Sequence, residues 1–336
     1  MRYLVPLLLV CGLGCETIVD VDPPAHTPQL VAQGVFAPDS EWAVRVMQTV
    51  PFTAEEGSIP VEDATVEVFV DDARVAALAP SDSGTYVGPA TTLLPGQRLT
   101  LRVAAPEAAP VEGTDTVPIA PPIADFADQR TASAASRRVV RQLGLTLDDP
   151  ADSAQQYGLF IAQLRVEETR STGQFKLLDP TVFPFESDEP AFGNALLRLL
   201  DDDTPTYRGA FFTDEHFDGQ RHTLDLRLQY DLPNPANDVV IHRAFALVVL
   251  SASDHFYRYW QTANEQLVSG ASPFSEPLRV HSNMDNGVGI FAGVQYRILP
   301  LDLDATTPAD LDLPDWCTAL PTDVVPTFAL CSSSSM

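Results

Sequence analysis

From Leu30 onward apolar and polar residues alternate with a period of two, and no other feature constrains the fold as tightly. Successive side chains of a strand point to opposite faces, so alternation predicts sheets with one buried and one wet face. Trp42, Val44 and Val46 share one face, with Ala43, Arg45 and Met47 on the other. The run Ala64 to Val70 alternates again and ends on Asp71-Asp72, residues suited to a turn. Ser81-Asp82-Ser83-Gly84 turns into Thr85-Tyr86-Val87, and Pro95-Gly96 turns into the run Arg98 to Val103. His222 to Tyr230 is the cleanest case, with Leu224, Leu226, Leu228 and Tyr230 facing inward. Tyr157 to Val166 reads as a long strand, and Ile241 to Leu250, apolar on both faces, as a central one.

These segments predict a mostly β protein. Residues 27–105 form a β-sandwich whose order of strands and turns resembles immunoglobulin-like domains and the regulatory sandwich domains of carboxypeptidases. Residues 106–123 carry Pro106, Pro110, Pro118, Pro121 and Pro122 and read as a semi-rigid linker, because proline donates no backbone hydrogen bond. A second, larger β-rich domain spans 124–304, and an acidic tail follows over 305–336. The one convincing helix covers 254–269. Ser251 or Ser253 caps it, Asp254 suits its positive end, and Gly270 closes it. Phe256, Tyr259, Trp260, Ala263 and Leu267 recur at helical spacing, which predicts a stripe lying on a sheet. The sharper reading makes Tyr257, Tyr259 and Trp260 a ligand or partner surface.

The N-terminus carries a different message. A short apolar run, Leu4 to Val10, follows Arg2 and leads to Gly12-Leu13-Gly14-Cys15-Glu16. It is too short to span a bilayer and reads as a signal peptide over 1–14. Cleavage before Cys15 makes that residue the acylation site, with 15–26 as a lipidated tether. At about 0.8 kcal/mol per buried CH₂, several acyl chains hold a protein firmly in a membrane. The expected location is the outer membrane, with outer-membrane lipid reached through acylated Cys15.

With 20 basic against 46 acidic residues the chain has a net charge of −26, and Lys176 is its only lysine. Such a surface repels phosphate backbones, which excludes nucleic acid as an expected partner. Cys317 and Cys331 are candidates for a disulfide, since thiols of an exported protein can oxidise, and such a staple contributes about 3 kcal/mol. No nucleophile elbow, phosphate-binding loop or zinc helix is present in the sequence, and the six histidines show no metal-ligand spacing. No enzymatic activity and no cofactor are expected. Asp201-Asp202-Asp203 reads as a solvated turn. Asp214, Glu215 and Asp218, around the turn at Gly219, are weak calcium candidates. They offer some of the six to eight oxygens calcium takes, but lack the alternating pattern of a helix-loop-helix site.

The stretch His255-Phe256-Tyr257-Arg258-Tyr259-Trp260-Gln261, then Pro273-Phe274-Ser275-Glu276-Pro277, His281-Ser282-Asn283-Met284 and the run Asn286 to Gly293 resembles domain-of-unknown-function family 4249. That family comprises exported lipoproteins of Bacteroidetes type. Looser matches lie at Cys15-Glu16, at Leu30 to Gly34, at Val61 to Val66, at Pro121-Pro122-Ile123 and at Phe212 to Gly219. The resemblance implies an accessory lipoprotein, ligand-capturing or docking, of a TonB-dependent outer-membrane transporter, and it brings no catalytic residues. A structural or adhesive envelope module is the alternative, and a hydrolase with a site assembled from distant residues is the third.

Overall fold

The computed structural model describes residues 26–303, apart from 52–53, 55–56, 107, 134–135, 152, 193–197, 200–205, 235 and 270–277. Cys15, Cys317, Cys331, the 201–203 acidic run, Gly270 and the tail from 305 lie outside the described residues. Among the described residues the fold is mostly β with a single α-helix, as the alternation predicts.

The first strands are β1 (Leu30–Phe36), β2 (Trp42–Thr49), β3 (Ser58–Pro60), β4 (Thr65–Val70), β5 (Ala73–Pro80), β6 (Thr85–Gly88), β7 (Arg98–Ala104) and β8 (Val111–Thr116). They pair in the order β1-β2-β6-β5-β4-β7-β8, with β3 beside β2. Asp71 and Asp72 both take positive φ, +47° and +68°, the two-residue turn that suits the twist between β4 and β5. One core holds Val44, Val46 and Tyr86 from one end of this path and Val66, Val68, Leu99 and Leu101 from the other. The buried Tyr86 hydroxyl donates to the Val61 carbonyl (3.0 Å) and accepts from the Ala64 amide (2.8 Å), tying the crossing segment to this core.

The linker reading of 106–123 is corrected here. Strand β8 lies inside it and pairs with β7 from Arg98↔Thr116 to Val103↔Val111. The physical reason is placement: Pro110 and Pro118 flank the strand, so residues 111–116 keep every amide donor the ladder needs.

The later elements are β9 (Ile123–Ala132), β10 (Arg138–Asp148), β11 (Gln156–Thr169), β12 (Gln174–Phe183), β13 (Phe185–Glu186), β14 (Arg198–Leu199), β15 (Thr206–Tyr207), β16 (Ala210–Thr213), β17 (Arg221–Asp231), β18 (Val239–Ala252), α1 (Asp254–Ser269), β19 (Met284–Asp285) and β20 (Val288–Pro300). A six-stranded sheet runs β14-β15-β13-β17-β10-β9. Its inner residues Leu143, Leu145, Leu147, Leu224, Leu226 and Leu228 meet Tyr157, Leu159, Ile161, Phe245, Leu247 and Val249 of β11 and β18. The opposite face of β11 and β18, with Phe160, Ala162, Val248 and Leu250, is covered by α1 through Phe256. This two-sided cover explains why β18 reads as apolar throughout.

One strand joins the two halves. The first part of β20 pairs in parallel with β1, Val31↔Val288 to Phe36↔Gly293, and its second part pairs antiparallel with β18. Asn286 makes the expected turn at φ +60°, but the strand before it, β19, hydrogen-bonds to β8. Asn283 secures this region: its amide nitrogen donates to the carbonyls of Thr114 (3.1 Å) and Phe291 (2.7 Å), and its oxygen accepts from the Phe291 amide (2.9 Å).

Candidate functional site

The outer face of the six-stranded sheet carries an open trough of about 860 Å³. Two cross-strand rows build its floor. Gln129, Gln142, Arg227 and Glu186 lie side by side through the pairings of β9, β10, β17 and β13, and the next row is Ala127, Gly144 and Asp225. The segment Ser187-Asp188-Glu189 forms a wall. Glu186 pairs with Arg227 at 2.5 Å, and Glu189 meets His222 Nε2 at 3.0 Å.

Gly144 is the informative position. It lies in the interior of β10 and its φ is not positive, so the turn argument for glycine does not apply. A Cβ there would meet nothing nearer than Thr223 Cγ2 at 3.7 Å, so packing does not demand glycine either. Glycine inside a strand costs roughly 0.5–1 kcal/mol relative to alanine, and such a residue often marks a place where a ligand comes close to the backbone. With Glu186, Asp188, Glu189 and Asp225 set against Arg227, the trough repels anions and suits a neutral or cationic hydrogen-bonding molecule.

A second cluster gathers the calcium candidates, with one exchange of membership. Carboxylate oxygens of Asp149, Asp214 and Asp218 lie within 4.8 Å of one another, whereas Glu215 does not belong to the group. Asp149 is the member that the calcium candidates omit; its visible signal is the turn Asp148-Asp149-Pro150. Asp149 Oδ1 accepts from the Tyr157 hydroxyl (2.6 Å) and its Oδ2 from the Gly219 amide (2.9 Å), while Asp214 Oδ2 accepts from the Gln155 amide (2.6 Å). Burial raises the Asp214 carboxyl above the ordinary carboxylate range, and the charges of Asp149 and Asp218 push it the same way. Burial and the Asp149 carboxylate likewise raise the Tyr157 hydroxyl, which stays a donor. Three carboxylates supply at most part of a calcium shell, and three of their oxygens already serve protein donors.

The sign of the pH effect follows. A raised Asp214 means that the folded chain keeps this proton at pH values where the unfolded chain has lost it. Stability therefore falls as pH rises above the ordinary carboxylate range. Asp214→Asn, in chelator, is expected to raise the unfolding midpoint at pH 7.5, with a gain that shrinks as the pH is lowered toward the carboxylate range. A midpoint of the unmodified protein that rises with added calcium, and not in the variant, would instead mark the triad as a metal site.

The aromatic stripe of α1 lies where the spacing puts it. Phe256 is buried, and Tyr257, Tyr259 and Trp260 are half-buried against the same core, with Trp260 stacked on Phe211 at 5.4 Å. The helix begins as expected, with Ser253 Oγ accepting from the Phe256 amide at 3.2 Å. Among the described residues no helix is long and apolar enough to cross a membrane.

A family model described as a domain of unknown function (DUF4249) matches residues 16–297. No curated protein matches the chain significantly.

Proposed function

The chain belongs to the DUF4249 family, and on that premise we propose that it is a lipid-anchored cell-envelope protein serving a TonB-dependent outer-membrane transporter by capturing its ligand or docking on it. Acylation of Cys15 anchors the protein in the outer membrane, and the residues before His26 act as a tether for the β-rich body. The observation that supports capture best is the polar trough over Gly144 and Ala127, which offers hydrogen-bonding groups to a neutral or cationic ligand. Confinement to the membrane plane raises the effective concentration beside a transporter, so weak contacts suffice.

The test is chemical cross-linking on cells, gentle solubilisation and recovery of the protein by an affinity tag. A TonB-dependent transporter is the expected product, lost with Cys15→Ala, whose product should leave the membrane. Recovery without a transporter in repeated trials, or a membrane-bound Cys15→Ala, overturns the reading. Gly144→Gln, which fills the trough and leaves the tether intact, separates capture from docking: uptake falls while cross-linking persists. The adhesive alternative draws support from β20, because a strand shared by both halves makes a rigid spacer. Loss of attachment with normal uptake in a deletion strain would favour it.

A further inference from the structure

We propose that His255 and His281 form a proton-operated latch that fastens the segment 278–282 to α1 when the pair holds at most one added proton and releases it when a second proton binds. Their sequence separation hides the pair from any reading of local spacing. In the fold His255 Nδ1 and His281 Nε2 lie 3.0 Å apart, and the rings are almost parallel, 13° between planes with centroids at 5.3 Å. That centroid distance is the N···N distance plus one ring radius at each end. The two nitrogens therefore point at each other along a line. A bridging metal needs lone pairs that converge from the side, so this geometry suits one shared proton and not a cation. One nitrogen donates and the other accepts. A second added proton makes both nitrogens donors and sets two imidazolium charges edge to edge, which the contact does not survive.

The surroundings bias the pair in the same direction. Burial holds His281 below the ordinary histidine range, helped by His255 and by Arg258, with Asp254 opposing. The buried Asp115 of β8 lies within electrostatic reach of His255; burial raises its carboxyl above the ordinary range, and its hydrogen bonds and His255 oppose that. Asp115 is held by the amides of Thr116 (2.8 Å) and Gly293 (2.9 Å) and by the Ser253 hydroxyl. The two rings therefore sit in different surroundings: burial disfavours the charged form of His281, and His255 lies within electrostatic reach of Asp115.

The consequence is local because the segment is held at two points. On the helix side, the His281 amide donates to Thr262 Oγ1 at 2.8 Å, next to the imidazole contact. On the sheet side, Asn283 clamps β8 and β20, and none of its three bonds involves a titratable group. Acid therefore frees the helix side and leaves the sheet side closed, exposing the face of α1 that carries Thr262.

Two measurements on the full-length protein test the latch. Histidine ring resonances followed from pH 8 to pH 4.5 should show His281 titrating below the ordinary histidine range, and His255→Gln should move that titration upward. Hydrogen exchange at the described amides of 278–282, corrected for intrinsic rates, should accelerate about tenfold per pH unit once the second proton binds. In His281→Gln and in His255→Gln that acceleration should vanish. A His281 titration that is ordinary in the unmodified protein and unmoved by His255→Gln, or equal acceleration of exchange in the variants, overturns the proposal. Should one glutamine variant fail to fold, the other and the ring titration of the unmodified protein still decide.

Discussion

Replacing Arg141 by alanine lowers the unfolding midpoint by about 6–15 °C, the equivalent of roughly 3–5 kcal/mol. Arg141 sits on the inward face of β10, between Val139 and Leu143, and is 1% exposed. Its guanidinium bonds the Asp128 carboxylate and the Asp302 carbonyl, and its Nε donates to the Tyr230 hydroxyl at 3.0 Å. The variant opens a cavity and strands the Asp128 carboxylate, one of whose oxygens is buried without a hydrogen bond. Burial raises the Asp128 carboxyl even against the attraction of Arg141, so the pair is held at a net desolvation cost. Removing both charges is therefore milder than removing one. Arg141→Leu combined with Asp128→Leu should recover most of the loss, measured by urea or thermal unfolding. If the double variant is no more stable than the single one, the missing partner is not the source of the effect.

Strands and the helix were legible because they depend on neighbours in sequence. Trp42, Val44 and Val46 are buried as a set, as are Leu224, Leu226, Leu228 and Tyr230, because a period of two is imposed by the pleat itself. The helix begins at the Ser253 cap and runs over the predicted residues 254–269. The proline count misled at 106–123, where the position of each proline mattered more than their number. Arg141 gave no signal: a basic residue in an alternating strand looks the same whether it faces water or a buried carboxylate. The acidic triad was half legible. Asp214 and Asp218 share a turn, whereas Asp149 arrives from a loop whose register with β17 only the sheet defines. The His255 and His281 pair and the Gly144 trough required the tertiary fold, since each joins elements with no local signature in common.

The least legible feature, the parallel pairing of β1 with β20, carries the other large expected effect. Gly289 stands opposite Ala32 with φ +124°, and a Cβ built on it would lie 2.0 Å from the Ala32 carbonyl oxygen. That oxygen is backbone, so no rotamer relieves the clash; Gly289→Ala must separate the two strands or shift their register. Because β20 passes from β1 to β18, the disturbance reaches both halves of the molecule. The expected cost is about 4 kcal/mol or more, read as a fall in the unfolding midpoint and as loss of exchange protection in β1. Gly96 supplies the control. It also has positive φ, +83°, but a Cβ there meets nothing within 4 Å, so Gly96→Ala isolates the backbone term at roughly 1–2 kcal/mol. Similar losses in the two variants would mean that backbone conformation alone explains glycine at 289. A much larger loss at 289, with β1 deprotected, identifies close approach of the strands as the reason and makes the β1–β20 pairing the joint on which the integrity of the whole body depends.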